Sequence, residues 1–241
     1  MIDNKLRHGN FTSSKIYRLC GSIKNGEPSA SFYSYVEEKM FERKLKRSLE
    51  NGAYSQSMAW GKFLEKRVND NLGLEYELIS KTTFLNPKIS CHSGSPDFIV
   101  KGIKVAELKC YQMLKFARYA TALSTRDTEY IKTEFPDEYW QIISNAMIQG
   151  VFKGEAILYA PYESEMEEIR ELAQDPEYLN KIGMMPWEVR FITENSNSQL
   201  SVLPNDSSFQ NLNIFEFDLP IDDVIFLTKR LKMAERLLTN V

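Results

Sequence analysis

The stretch that decides the fold is Ser95-Pro-Asp-Phe-Ile-Val-Lys-Gly-Ile-Lys-Val-Ala-Glu-Leu-Lys109. Apolar residues on both sides of Lys101-Gly102 predict two strands, at 95–100 and 104–109, joined by a hairpin turn. Glycine readily takes the left-handed conformation that a three-residue hairpin loop requires. We therefore expect the hairpin to turn symmetrically about Gly102, which places Asp97 opposite Glu107.

This register brings chemically useful groups together. Opposed residues have Cβ atoms ~5 Å apart, a distance at which two carboxylates repel unless a cation lies between them. Carboxylate oxygens are hard ligands that suit Mg²⁺. Lys109 shares a strand face with Glu107, while Leu108 points the other way. Asp97, Glu107 and Lys109 together predict metal-dependent phosphodiester hydrolysis. A short pattern of two acids and a lysine also occurs by chance on solvated strands.

The remaining pattern indicates an α/β fold with a central mixed sheet flanked by helices. Helical spacing predicts helices at 16–20, 31–50, 55–72, 137–148, 165–172 and 221–238, the second ending at Asn51-Gly52. Further strands are predicted at 76–79, 155–159, 187–193 and 213–217, and residues 112–133 show no clear pattern. With no internal repeat and no linker, we expect a single domain over 1–241.

Composition excludes several classes of protein. A formal net charge of −3 argues against coating of DNA by bulk charge but allows a local basic groove. Three separated cysteines without a CxxC pair, and only two histidines, argue against a zinc or iron–sulfur site. No apolar run has the length of a membrane span. We expect a cytoplasmic protein that makes no contact with a membrane.

Three segments outside the hairpin carry candidate site residues. In the helix at 55–72, Gly61 suggests close packing that would bring Glu65 to the hairpin, although a surface glutamate is the alternative. Gln141 and Asn145 share one helical face and need partners if they are buried. Near the N-terminus, the segment from Arg7 to Ser14 combines a cation, hydroxyls and a helix start, which could bind an anion or could simply be a capped helix.

These motifs together resemble the lambda exonuclease group, the YqaJ-type viral recombinase nucleases of the PD-(D/E)XK superfamily, whose core is restriction-endonuclease-like. The likeness is ordered along most of the chain. It rests on Leu6-Arg-His-Gly-Asn-Phe-Thr-Ser-Ser14, Met58-Ala-Trp-Gly-Lys-Phe-Leu-Glu65, Ser95-Pro-Asp97, Glu107-Leu-Lys109-Cys110, Tyr139-Trp-Gln141 and Phe215-Glu-Phe-Asp218.

The resemblance implies a role for each matching residue. Asp97 and Glu107 would bind catalytic Mg²⁺ (or Mn²⁺) together with the backbone carbonyl of Leu108, and Glu65 would lie near a second metal. Lys109 would orient the attacking water, and Gln141 would line the site. A pocket for the 5′-phosphate would contain the following residues: Arg7, Ser14, Ser95 and Lys115.

The sequence departs from the group's pattern at two positions. Lys115 stands where the group typically has an arginine, and lysine keeps the charge but lacks the bidentate fork. Ile143 stands where relatives often carry a second glutamine.

The activity implied is 5′→3′ degradation of double-stranded DNA in phage-type recombination, by a chain that forms ring-shaped homotrimers and works with a single-strand annealing protein. Such a protein acts in the cytoplasm of a bacterial or phage-infected cell. Two alternatives stay open. One is a PD-(D/E)XK endonuclease, or a nuclease for branched or single-stranded ends. The other is a DNA-binding module without catalysis, against which Asp97, Glu107 and Lys109 stand intact.

Overall fold

A computed structural model describes residues 6–49, 55–79 and 82–239. The turn predicted at Asn51-Gly52 lies outside these residues. The helices are α1 (Tyr17–Cys20), α2 (Ala30–Leu45), α3 (Gln56–Asn71), α4 (Met113–Thr125), α5 (Thr128–Glu134), α6 (Pro136–Gln149), α7 (Met166–Gln174), α8 (Pro176–Ile182), α9 (Pro186–Glu194) and α10 (Ile221–Thr239). The strands are β1 (Phe11–Thr12), β2 (Glu77–Leu78), β3 (Phe84–Leu85), β4 (His92–Gly94), β5 (Phe98–Val100), β6 (Lys104–Lys109), β7 (Lys153–Tyr159) and β8 (Leu212–Asp218).

The predicted hairpin forms the centre of the main sheet. Phe98 pairs with Ala106 and Val100 pairs with Lys104, so the turn is symmetric about Gly102 as expected. Gly102 has a φ of 71°, the left-handed conformation that favours glycine. The strand order is β2-β5-β6-β7-β8, in which β6 and β7 are parallel and the other neighbours are antiparallel. The predicted mixed sheet is confirmed.

Helices cover both faces of this sheet, and successive residues of β6 enter different cores. Val105 packs in a core with α2, α4, α6 and α10. Ala106 and Leu108 pack in a second core with α3, α7 and α9. The alternation follows from the period of two along a strand. It also sends Glu107 and Lys109 toward the α6 side of the sheet.

A small sheet holds the N-terminal segment next to the hairpin. Its order is β1-β4-β3, and β1 runs parallel to β4 with Thr12 opposite Ser93. A 3₁₀ helix, Ser13–Lys15, then leads into α1. The helix start expected within the segment from Arg7 to Ser14 is therefore a strand followed by a 3₁₀ turn, and neither Thr12 nor Ser13 caps it with its side chain.

The prediction of a strand at 187–193 is wrong, since these residues lie in α9. Pro186 occupies the first turn, and the Glu188 carboxylate accepts a hydrogen bond of 2.7 Å from the Met185 N–H. Val189 and Ile192 are buried while Trp187 is exposed. Two buried residues three apart have helical spacing, whereas a half-buried strand would bury alternate residues.

The part without a clear pattern, 112–133, forms α4 and α5. In α4 the buried residues Phe116, Tyr119, Ala120 and Leu123 do follow helical spacing. Over the described part of the chain, no helix is long and apolar enough to cross a membrane.

Candidate active site

The end of the hairpin holds two acidic side chains close to one face of the sheet. Glu107, in β6, is 1% exposed and lies under α6. Asp97 directly precedes β5 and is half-buried; its Oδ2 accepts a hydrogen bond of 2.7 Å from the Leu108 N–H. The carboxylate thus binds the β6 backbone one residue beyond Glu107. The two acids are neither splayed into solvent nor placed on opposite sides of the sheet.

Helix α6 supplies two amides to Glu107. Gln141 Nε2 donates to Glu107 Oε2 at 2.5 Å, and Asn145 Nδ2 donates to Glu107 Oε1. Gln141 Oε1 in turn accepts from Lys109 Nζ at 3.1 Å, and that nitrogen lies 3.6 Å from Glu107 Oε2. The sequence analysis expects Gln141 and Asn145 to have partners if they are buried. The partner of both is Glu107, and Gln141 also bonds Lys109.

Glu65 comes to the same place from α3, on the other face of the sheet. It is half-buried and near enough to Asp97 and Lys109 to interact with both electrostatically. The packing reason expected for Gly61 is wrong, since among the described atoms nothing lies within 4 Å of the place where its Cβ would be. Glu65 reaches the site through the packing of Phe63 and Leu64 in the second core.

The surroundings of this cluster disfavour the ionised form of its acids. Burial and the nearby charge of Asp97 raise the pKa of Glu107 to about 8, and the same two causes raise the pKa of Glu65 to about 8. Burial also raises the pKa of Asp97, although Lys109 and the Leu108 N–H act against that rise. Lys109, together with Lys62 beside Glu65, is too little to balance three carboxylates in a site of low dielectric.

Lys109 keeps its proton in this environment. Burial alone would lower its pKa, but attraction by Glu107 and Asp97 outweighs burial and raises it. The side chain is 19% exposed, so its ammonium can still reach a ligand at the surface. Lys109 is therefore a cation held in place, with its ammonium donating to Gln141.

The structure places Lys115 in an ion pair that the sequence did not predict. Its Nζ lies 2.6 Å from Oε1 of Glu138, an acid that is 5% exposed, and 3.9 Å from the ring centre of Tyr111. The Tyr111 hydroxyl donates to the same oxygen. Burial would raise the pKa of Glu138, but Lys115 and Tyr111 hold it below its usual value. Glu138 also attracts Lys109, so it belongs to the surroundings of the site.

The candidate phosphate residues of the N-terminal segment come together in part. Arg7 reaches Ser14 Oγ at 3.5 Å, and Ser14 is exposed. Ser95 binds Thr83 through a hydroxyl contact of 3.0 Å. Because β1 runs parallel to β4, the segments that follow these two strands leave the small sheet side by side, one toward Ser14 and the other toward Ser95. Lys115 is not bonded to any of these three, since its ammonium is held by Glu138.

The cluster at the hairpin end suits a divalent cation in its chemistry. Asp97, Glu107 and Glu65 offer the oxygen donors that Mg²⁺ prefers, and a cation would relieve the repulsion that raises their pKa values. Within the described residues, no three His, Cys, Asp or Glu side chains converge tightly enough to form a ready-made cage. A site of this kind would leave positions for water and phosphate oxygens, as Mg²⁺ sites commonly do.

The chain therefore has an α/β fold whose central hairpin ends in two acids and a lysine. The sequence matches no protein-family model and none of the curated proteins. Among solved structures, the fold is similar to that of the alkaline exonuclease LHK-Exo from Laribacter hongkongensis, which is also known in complex with dAMP. The TM-score is 0.60 at 14% sequence identity, over 97% of this chain and 90% of that chain.

A second similar structure is a phage-related exonuclease from Haemophilus somnus 129PT. Here the TM-score is 0.57 at 11% identity, over 98% of this chain and 96% of that chain. The likeness spans nearly the whole length of each protein. The chain therefore has the fold of these exonucleases, which confirms, at the level of the fold, the resemblance that its motifs indicate.

Proposed function

We propose that this protein is a metal-dependent deoxyribonuclease, a 5′→3′ exonuclease for double-stranded DNA. The observation that carries the proposal is the cluster at the hairpin end, where buried Glu107 lies beside half-buried Asp97 and Lys109 and acidic groups outnumber basic ones. An ordinary structural role would not place like charges side by side in the protein interior. The fold shared with two exonucleases supports the same conclusion.

Asp97 and Glu107 are the proposed ligands of the cation, with the Leu108 carbonyl and Glu65 as further ligands. Mg²⁺ bound there, or Mn²⁺, would supply Lewis-acid chemistry, namely a more acidic water and charge stabilisation at a phosphoryl oxygen. Gln141 holds Lys109 and Glu107 at a fixed separation by bonding to both. The Lys109 ammonium, kept charged by its acidic neighbours, would orient the attacking water and stabilise charge developing on the phosphate.

Recognition of the DNA end is assigned to Arg7, Ser14 and Ser95, with Lys115 as the weakest member because Glu138 already neutralises it. The guanidinium of Arg7 can bind a terminal 5′-phosphate through charge-assisted hydrogen bonds. A ring-shaped homotrimer, a single-strand annealing partner, a cytoplasmic location and a role in phage-type recombination complete the proposal.

The test is digestion of linear duplex DNA, labelled at either the 5′ or the 3′ end, in Mg²⁺. We expect early release of the 5′ label as mononucleotide, and a loss of about 100–1000-fold in rate for Lys109→Ala, the usual effect of removing one preorganised charge donor. Lys101→Ala is the matched control, since Lys101 is an exposed lysine of the same hairpin at its turn. Equal rates for the two variants would contradict the assignment.

The same assay separates the exonuclease from its alternatives. Closed circular DNA should resist digestion, and a 5′-hydroxyl end should be digested more slowly than a 5′-phosphate end. Arg7→Ala should remove that difference, about 10-fold if one charge-assisted hydrogen bond is lost. Digestion of circular DNA at the linear rate would indicate an endonuclease. DNA binding without any digestion would indicate a binding module.

A further inference from the structure

Asn145 stands out among the residues around Glu107 because it is fully buried and polar. Its side chain is 0% exposed, and its Nδ2 donates to Glu107 Oε1. Its Oδ1, also buried, accepts no hydrogen bond from the residues that the structure describes. An unsatisfied buried amide oxygen costs about 1–3 kcal/mol. A leucine of similar size would avoid that cost but would remove the donor to Glu107 Oε1, so the asparagine is explained by its bond to the acid.

The backbone of β4 fixes the direction of this amide. A Cβ placed on Gly94 would lie 2.1 Å from Asn145 Oδ1, 2.1 Å from Ser13 Oγ and 2.8 Å from Ile148 Cδ1. Only a residue without a Cβ therefore leaves room for the asparagine. With its oxygen seated against Gly94, the amide cannot turn away, and its N–H group points at the Glu107 carboxylate.

The neighbouring residue holds α6 itself in place. Ser144 Oγ lies 2.6 Å from His92 Nε2 and 2.8 Å from Ser13 Oγ, and all three side chains are buried. Asn86 Nδ2 lies 3.0 Å from His92 Nδ1 and fixes the ring from the other side. This chain of hydrogen bonds sets the rotation and depth of α6 at Ser144, and it makes no bond to Glu107. Ser144 therefore serves the fold, whereas the only side-chain hydrogen bond that Asn145 makes within the described residues goes to the acid.

We propose that Asn145 is a positioning residue that locks the Glu107 carboxylate in the orientation needed to bind the catalytic cation. The inference rests on the proposed function. Asn145 does not touch substrate or cation; it acts through Glu107, as outer partners of metal ligands generally do. Gln141 bonds the other oxygen of Glu107 and also Lys109, so Asn145 is the partner dedicated to the acid.

The test compares Asn145→Ala with Ser144→Ala, a change at the adjacent and equally buried position. Thermal unfolding is followed while Mg²⁺ is titrated into the full-length protein, and digestion of linear duplex DNA is measured over the same Mg²⁺ range. For Asn145→Ala we expect the Mg²⁺ concentration at half-maximal stabilisation to rise about 10–100-fold, with a matching shift in the Mg²⁺ dependence of digestion. Ser144→Ala should lower the unfolding temperature without Mg²⁺ and keep the wild-type Mg²⁺ midpoint.

A second measurement uses the unaltered protein, in case Asn145→Ala does not fold. With [¹⁵N]asparagine labelling, one side-chain NH₂ pair should exchange slowly with solvent and shift when Mg²⁺ is added. A wild-type Mg²⁺ midpoint in folded Asn145→Ala, or no protected and Mg²⁺-sensitive pair in the unaltered protein, would overturn the inference alone. If the unaltered protein neither digests DNA nor gains stability from Mg²⁺, the proposed function fails and this inference fails with it.

Discussion

Each end of strand β6 lies in a cluster of charged side chains, and the two clusters differ in whether their charges balance. At its first residue, Lys104 Nζ lies 2.5 Å from Glu155 Oε2 and 2.9 Å from Glu216 Oε2. Lys153 Nζ lies 2.6 Å from the other oxygen of Glu216, and the Tyr76 hydroxyl donates to Glu155. Two acids there face two lysines, so the charges balance.

At the last residue of β6 the balance is lost, since three acids, Asp97, Glu107 and Glu65, face Lys109, with Lys62 acting on Glu65 as a second cation. The pKa values show the difference. Hydrogen bonds from Lys153 and Lys104 lower the pKa of Glu216, whereas burial and Asp97 raise the pKa of Glu107. The first cluster stabilises the folded chain by itself. In the second, the raised pKa values favour the binding of protons or of a cation, which is a property expected of a functional site.

The largest expected effect is on catalysis, and two buried glutamates of the sheet provide a matched pair. Glu107 is 1% exposed and Glu155 is 2% exposed. Glu107→Gln should lower DNA digestion at least about 100-fold, because even the outer partners of metal ligands contribute about 10–100-fold. Glu155→Gln should leave the rate per folded molecule near that of the unaltered protein. Rates measured at 25 °C, with the folded fraction determined by circular dichroism, would check this.

The next effect is on stability, and here the same two variants should differ in sign. In EDTA at pH 8, Glu107→Gln should raise the unfolding temperature, because it removes a buried carboxyl for which burial and repulsion by Asp97 outweigh the attraction of Lys109. Burial and repulsion raise the pKa of the Glu107 carboxyl. Each pKa unit of this rise corresponds to about 1.4 kcal/mol of free energy. For a chain of this size, 1 kcal/mol shifts the unfolding temperature by about 2–4 °C. Glu155→Gln should lower the unfolding temperature, because Lys104 loses its buried partner and the free energy of unfolding falls by about 1–3 kcal/mol.

The pH dependence of the metal-free protein follows from the same shifts. A carboxyl whose pKa is raised on folding stabilises the fold below its unfolded pKa, and this contribution is lost as pH rises through the folded value. For Glu107 and Glu65 the window runs from 4.5 to about 8. Unfolding temperatures in EDTA should therefore fall between pH 5 and pH 8.5, and Mg²⁺ should restore them. A flat profile in EDTA would show that the acids are not strained.

The part of this comparison that the sequence could predict is the part governed by local rules. The turn at Gly102 and the period of two along a strand are enough to derive the pairing of Phe98 with Ala106 and the common face of Glu107 and Lys109. The helical spacing around Gln141 likewise predicted α6. Each of these rests on residues fewer than about a dozen positions apart, where geometry leaves few choices.

Contacts between distant elements could not be predicted in the same way. That Asn145 reaches Glu107, and that Glu138 neutralises Lys115, depends on how α6 lies across the sheet and on how α4 follows β6. The wrong prediction of a strand at 187–193 has the same cause, namely packing between distant elements. A short apolar run fits either a helix or a strand until its packing is known.

The smallest expected effect concerns the exposed part of the balanced cluster. Glu216 is 37% exposed, so Glu216→Gln should cost no more than about 1 kcal/mol, within the range of surface ion pairs. Because folding lowers the pKa of this carboxyl, its contribution is present at neutral pH and lost as pH falls below 4.5, opposite to the trend of Glu107. Salt should reduce it further, since surface charges are screened. Unfolding temperatures at pH 7 in low and high salt would check this, and a large loss that persists in high salt would mean that the two ends of β6 differ less than their charges indicate.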